Sequence, residues 1–165
     1  MKIWIASDHA GLYLKNELTK ITSLDSHKLY WVDLGPSSEQ SVDYPDFADL
    51  VAQKINAVSM NNNQKDSLNS KDSLDLKELG LLICGSGQGM CIRANKYNNV
   101  RAALCFNTEI AELSRAHNNA NVLCLGARFT TVELALQILQ VFVKTPFEGG
   151  RHSVRVNKLN SPIKS

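Results

Sequence analysis

The residues best suited to chemistry lie in ICGSGQGM, positions 83–90. An apolar run ends there at Cys84, and glycines follow at 85, 87 and 89. That spacing lets a buried strand turn tightly into a helix whose first N–H groups face outward and favour negative charge. A thiol held at such a turn gives up its proton more readily than a free one. Ser86 adds a hydroxyl donor to the same cradle. A base beside an oxyanion cage is what the transfer of a proton between the two carbons of a hydroxy-carbonyl unit requires. The enediolate formed on the way carries a negative oxygen, and each preorganised donor to it contributes on the order of 3–4 kcal/mol.

Taken alone, the loop has other uses. Alternating glycines occur in nucleotide-binding folds, and Glu109 follows Gly89 by 20 residues, where such folds place an acid for a ribose hydroxyl. The third glycine comes one position early for GxGxxG, and nucleotide binding leaves Cys84 without a task. A tight turn with an inert thiol is the remaining alternative.

Other segments hold further candidates. SDHAG (7–11) offers Asp8, a hydrogen-bonding acid, and His9, an imidazole. His117 in SRAHNNAN ends a helical pattern, a place also explained by the favourable helix dipole. Arg128 closes GAR at 126–128. Arg151 and Arg155 stand four apart in RHSVR, one helical turn. Two guanidiniums on one face make either a forked clamp for phosphate or a solvated surface.

The elements that must position these residues alternate in kind. Short apolar runs at 2–7, 29–35, 80–85, 100–106 and 121–126 predict strands. Between and after them, 10–22, 45–58, 88–96, 108–118 and 130–144 predict helices. The stripe on the second of these is Phe47, Leu50, Val51 and Ile55. The continuous apolar character of GLLICG predicts burial on both faces. Strand–helix alternation of this kind gives an α/β fold, a parallel sheet with helices on both faces. Ligands of such sheets bind at the carboxyl ends of the strands, so SDHAG, GPSSEQSVDYP, CGSGQGM, FNTE and GARFTT are the loops of interest.

Bulk properties narrow the function. The 165 residues fit one domain, and 44% hydrophobic content suffices for one core. A net charge of +2 gives no overall pull toward nucleic acid or membrane. The start, MKIWIASDHAG, is too short and polar for a signal peptide, and no run approaches the ~18 apolar residues of a membrane span. The four cysteines have no zinc spacing, and a disulfide framework is not expected. Cys91, Cys105 and Cys124 read as buried reduced thiols. Residues 59–75 are rich in Asn, Ser, Asp and Lys and read as a flexible polar insertion. These features together predict a cytoplasmic protein.

Six motifs in order are similar to the B type of ribose-5-phosphate isomerase, within the ribose/galactose isomerase family. They are SDHAG, SSEQSVDYP (37–45), LLICGSGQGMCIRANK (81–96), RAALC (101–105), LSRAHNNANVLCLGAR (113–128) and PFEGGRHSVRV (146–156). The resemblance covers nearly the whole chain apart from the 59–75 insertion. It implies a single isomerase domain over 1–165 with a Rossmann-like three-layer α/β/α sandwich on a five-stranded parallel sheet. It implies Cys84 as the proton-transferring base of a ribose 5-phosphate/ribulose 5-phosphate interconversion in pentose-phosphate metabolism. Ser86, Gly85, Gly87 and Gly89 would hold the enediolate. His117, helped by Asp8, would open the sugar ring, and Tyr44 and Asn118 would contact the sugar. His9, Arg128, Arg151 and Arg155 would hold the phosphate. The 146–165 tail would reach a neighbouring subunit of a homodimer, or of a tetramer built as a dimer of dimers. No metal or cofactor is implied. A cysteine at 84, with Met90 where a second branch of the family carries Glu, matches the cysteine branch. A six-carbon sugar phosphate, such as galactose 6-phosphate or allose 6-phosphate, is the alternative substrate. A non-catalytic nucleotide- or sugar-phosphate-binding module is the alternative of another class.

Overall fold

The structure, a computed structural model, describes residues 1–25, 27–65 and 78–160. The elements in chain order are β1 (Lys2–Ser7), a 3-10 turn (His9–Gly11), α1 (Leu12–Thr19), β2 (Ser23–Leu24), β3 (His27–Lys28), β4 (Tyr30–Asp33), α2 (Tyr44–Lys65) and β5 (Glu78–Cys84). They continue with α3 (Gln88–Ala94), β6 (Ala102–Leu104), α4 (Thr108–Asn118), β7 (Val122–Gly126), α5 (Val132–Lys144) and α6 (Arg151–Leu159). The five predicted strands pair in parallel in the order β4-β1-β5-β7-β6. The small β2–β3 hairpin stands apart from that sheet and is antiparallel.

Side chains along each strand alternate between two cores, as a pleat demands. Ile3, Ile5, Leu79, Leu81, Ile83, Leu123 and Leu125 pack with Leu14 and Leu18 of α1, Ala111 of α4, and Ile138, Leu139 and Phe142 of α5. Ala6, Leu82, Cys84, Val122 and Cys124 pack on the other face with α2 and α3. Residues 79–84 are all buried, as their apolar run predicts. In α2 the packed stripe is Ala48, Val51, Ala52 and Ile55, whereas Leu50 is 41% exposed and so leaves the predicted apolar face. The two alanines let the helix lie close to the sheet. This helix begins with Tyr44 and Pro45, proline being suited to the first turn. It runs on to Lys65, so the first residues of the predicted flexible insertion are helical, and residues 66–75 lie outside those described.

Chain direction decides which edge carries which residues. From β1 the chain moves to β4 on one side, and from β5 it moves to β6 and β7 on the other. Between the carboxyl ends of β1 and β5 the order reverses, which opens a crevice at the topological switch point. A buried lysine fixes one wall. Lys15, 1% exposed, donates to Asp33 Oδ1 and Oδ2 (2.7 and 2.8 Å) and to the Pro36 carbonyl (2.6 Å). Its three protons thereby tie the end of β4 to α1, and its own buried charge is paired.

Candidate active site

Cys84 ends β5 at this crevice and is 4% exposed. Gly87 N–H donates to its Sγ at 3.1 Å, so the sulfur acts as an acceptor. Gly87 has φ +76°, a left-handed backbone that glycine tolerates, and its missing Cβ would lie 2.4 Å from Leu104. The loop therefore packs against β6 and β7 in a way that other residues resist. With seven residues, α3 is too short for much macrodipole, and the individual N–H groups carry the site. Ser86 is exposed, and its Oγ accepts from Gln88 N–H at 3.3 Å, which leaves the hydroxyl proton to donate outward.

Asp8 braces the loop from β1. Its Oδ1 accepts from Gly11 N–H at 2.9 Å and its Oδ2 from Gly85 N–H at 3.4 Å, while its own N–H donates to the Ile83 carbonyl. His9 follows it, with Nδ1 accepting from Val42 N–H at 3.3 Å. That bond puts the proton of the neutral ring on Nε2. Tyr44 lays its ring on Gly89, where a Cβ would stand 2.5 Å from Cε2 and Cζ. The Arg128 guanidinium lies over Gly85, 3.2 Å from the corresponding Cβ position. Its backbone N–H also donates to the Gly85 carbonyl. Beside the loop is a cleft of about 220 Å³ lined by Ser86, Gln88, Leu104, Phe106, Phe129 and Thr130, among others. One edge of the sheet thus collects Cys84, Gly85, Ser86, Gly87, Gly89, Asp8, His9, Tyr44 and Arg128.

The other sequence candidates lie at the opposite edge. His117 and Asn118 end α4, just before β7 starts, whereas Cys84 pairs with Gly126 at the far end of β7. Five strand residues at about 3.3 Å each put roughly 16 Å between those levels. α6 packs there too, and the His152 ring stacks on His117 with centroids 4.3 Å apart and planes 3° from parallel. Glu148 Oε2 is 3.7 Å from Nε2 of each. Arg151 Nε donates to His152 Nε2 at 3.4 Å. Arg151 and Arg155 are both exposed. Burial, then His117 and Arg151, hold His152 below the usual histidine range. His152 and Glu148 were not among the sequence candidates. Their spacing of four, across Gly149 and Gly150, gives only a faint signal.

A model of the ribose/galactose isomerase family matches residues 3–159. The chain belongs to that family. Among its relatives, a probable ribose-5-phosphate isomerase B of Mycoplasma genitalium is 44% identical over 158 residues, covering 95% of this chain and 92% of that one. Ribose-5-phosphate isomerase B of Escherichia coli K12 is 34% identical over 160 residues, 97% of this chain and 95% of that one. The fold superimposes on the crystal structure of ribose-5-phosphate isomerase B from Mycoplasma genitalium with bound ribulose-5-phosphate. The TM-score is 0.78 at 43% identity, over 96% of this chain and 93% of that one. These relatives support the isomerase reading over the nucleotide-binding alternative. Glu109, the acid that alternative needs, is an exposed residue in the first turn of α4. The family's Rossmann-like sandwich is the architecture described above.

The remaining thiols differ in setting. Burial pushes Cys105 up to about 11 and pushes Cys124 well above the usual range. Cys91 is only partly buried, contrary to the expectation of a fully buried thiol, because α3 turns it toward the edge strand β6. A hydrogen bond from the Cys124 thiol draws it down. Among the described residues no helix is long and apolar enough to cross a membrane.

Proposed function

We propose that this chain interconverts ribose 5-phosphate and ribulose 5-phosphate through an enediolate, with Cys84 as the base. The observation that carries the reading is Cys84 Sγ at the switch point, accepting from Gly87 N–H at 3.1 Å. In the open-chain aldose, the Cys84 thiolate takes the C2 proton. The C2–H electrons form the C1–C2 double bond, and the carbonyl electrons move onto O1. Ser86 Oγ–H and the N–H groups of the Gly85–Gly89 loop stabilise that oxygen. The thiol then returns its proton to C1 while O2 becomes the carbonyl and its hydroxyl proton passes to O1. Atoms and charge balance without a metal or other cofactor.

The remaining roles follow from chemistry and family resemblance. His9 Nε2–H, Arg128, Arg151 and Arg155 hold the phosphate. Tyr44 and Asn118 contact the sugar, and His117 with Asp8 opens the ring. The two sets lie at opposite edges of one sheet, so a second copy supplies His117, Asn118, Arg151 and Arg155 to the Cys84 edge. That requires a homodimer in which the 146–165 tail reaches its neighbour; a tetramer would pair two such dimers. The whole chain acts as one domain. Free thiols at all four cysteines support a cytoplasmic enzyme of pentose-phosphate metabolism.

Turnover of ribose 5-phosphate with a chelator present, for wild type and Cys84→Ala side by side, tests the reading. Fast conversion by the wild type that the variant lacks is the expected result. No wild-type conversion, against conversion of galactose 6-phosphate or allose 6-phosphate, would move the substrate to six carbons. Full activity of the variant would remove Cys84 from its role.

A further inference from the structure

We propose that His117, Glu148 and His152 form a binding site for a first-row divalent cation of the zinc class, and that the bound ion withdraws His117 from the sugar. The second half of this proposal rests on the reading above; the first does not. Two imidazole nitrogens and a carboxylate oxygen converge, all within 4.8 Å of one another. Each Nε2 is 3.7 Å from Glu148 Oε2, beyond hydrogen-bond reach, so the atoms face a shared gap rather than one another. Zinc bonds of about 2.0–2.1 Å at tetrahedral angles set neighbouring ligand atoms about 3.3 Å apart. The two nitrogen–oxygen separations of 3.7 Å exceed that by a few tenths, and the full spread of up to 4.8 Å by more, so the three ligands must draw together around an ion.

The ligand set has the right chemistry. Two histidines and one glutamate suit zinc or cobalt(II), borderline cations that take nitrogen and oxygen together. Nε2 of His152 accepts from Arg151, so it presents a lone pair. The nearly parallel rings must fan apart for both nitrogens to aim at one ion. His117 can do this, since its side chain is 37% exposed, and Glu148, at 59%, can turn to meet it. His117 also lies in the last turn of α4, where unpaired carbonyls favour positive charge. Arg151 and Arg155 oppose a cation and so lower its affinity. An ion there would break the long Arg151–His152 bond and fix the His117 ring.

The test is a titration of the metal-free full chain with cobalt(II), read by visible absorption, and with zinc, read by calorimetry. Wild type, His152→Ala, Glu148→Gln and Cys84→Ser are compared. One equivalent is expected, with a spectrum of nitrogen and oxygen ligands and no sulfur charge-transfer band. Affinity should fall at least about tenfold in His152→Ala and Glu148→Gln and stay unchanged in Cys84→Ser. No saturable binding, or binding indifferent to His152 and Glu148, would overturn the site. A sulfur band lost in Cys84→Ser would assign the ion to the thiol instead. Zinc should inhibit turnover reversibly and less so in Glu148→Gln. Binding without inhibition would overturn the withdrawal of His117 while leaving the site itself established.

Discussion

The two edges of the sheet are built by different means. At the carboxyl edge, Cys84 sits in a loop held by backbone bonds: Gly87 N–H to its sulfur, Gly85 N–H to Asp8, and Arg128 N–H to the Gly85 carbonyl. At the amino edge, His117, His152, Glu148 and Arg151 meet through side chains at 3.4 to 3.7 Å between polar atoms, with one backbone bond, Glu148 N–H to the Ala116 carbonyl, beside them. Backbone contacts fix atoms to within tenths of an ångström, as proton transfer demands. Long side chains on helix surfaces adapt instead, and that suits a phosphate group arriving from outside the chain. On the proposed reading, the reacting group and its anchors need not share a chain, provided the precise half stays on strand ends.

Breaking the precise half should have the largest effect. Cys84→Ala is expected to lower kcat by about a thousandfold, the scale of a lost general base, with unchanged circular dichroism. Retained turnover would sink the assignment. The next effect measures the separation directly. Arg151→Ala alone should lower kcat/KM by about a hundredfold through lost forked bonds to phosphate. A purified mixed dimer, one copy Cys84→Ala and the other Arg151→Ala, carries both lesions in one site and none in the other. It should regain about half the wild-type activity, as an isologous pair requires. If both residues served the same chain's site, the mixed dimer would hold two damaged sites and stay inactive.

How much of this was readable differs by edge as well. The strands came from hydrophobic runs, and β1 matches its prediction residue for residue. The Cys84 loop was legible because glycine spacing and a strand-end thiol are local features. The β2–β3 hairpin was not, since two residues per strand leave no period to read. Leu50 was misplaced because a helical stripe of alanines, Ala48 and Ala52, looks polar-neutral in sequence yet packs closest. Lys15 gave no warning of burial, as its partners Asp33 and Pro36 come from the far end of β4. The His117–His152 stack joins residues 35 positions apart, and only the packing of α6 on α4 reveals it.

A subtler break at the carboxyl edge is Gly89→Ala. The new methyl would meet the Tyr44 ring at 2.5 Å, so the ring must leave the loop. KM is expected to rise about tenfold with kcat little changed, the pattern of lost ground-state contact. Steady-state kinetics on the double variant with Tyr44→Ala sharpen this. If displacement of Tyr44 is the cause, the second change adds nothing. Fully additive losses would show that Gly89 acts through the loop itself.

The smallest effect concerns thiols that the carboxyl edge does not use. Cys105 is 1% exposed at the end of β6, and burial raises it from 9.0 to about 11. The unfolded chain therefore loses this proton first as pH rises. The stabilisation is whole below pH 9, shrinks above it and is gone once pH passes the folded value. At about pH 10.5 the deficit is roughly 2 kcal/mol. Urea midpoints at pH 7.5 and 10.5 for wild type and Cys105→Ala measure it, because the cavity left by the substitution costs the same at both pH values. Wild type should lose more stability over that interval than the variant. Equal losses would mean that Cys105 ionises as freely in the fold as out of it.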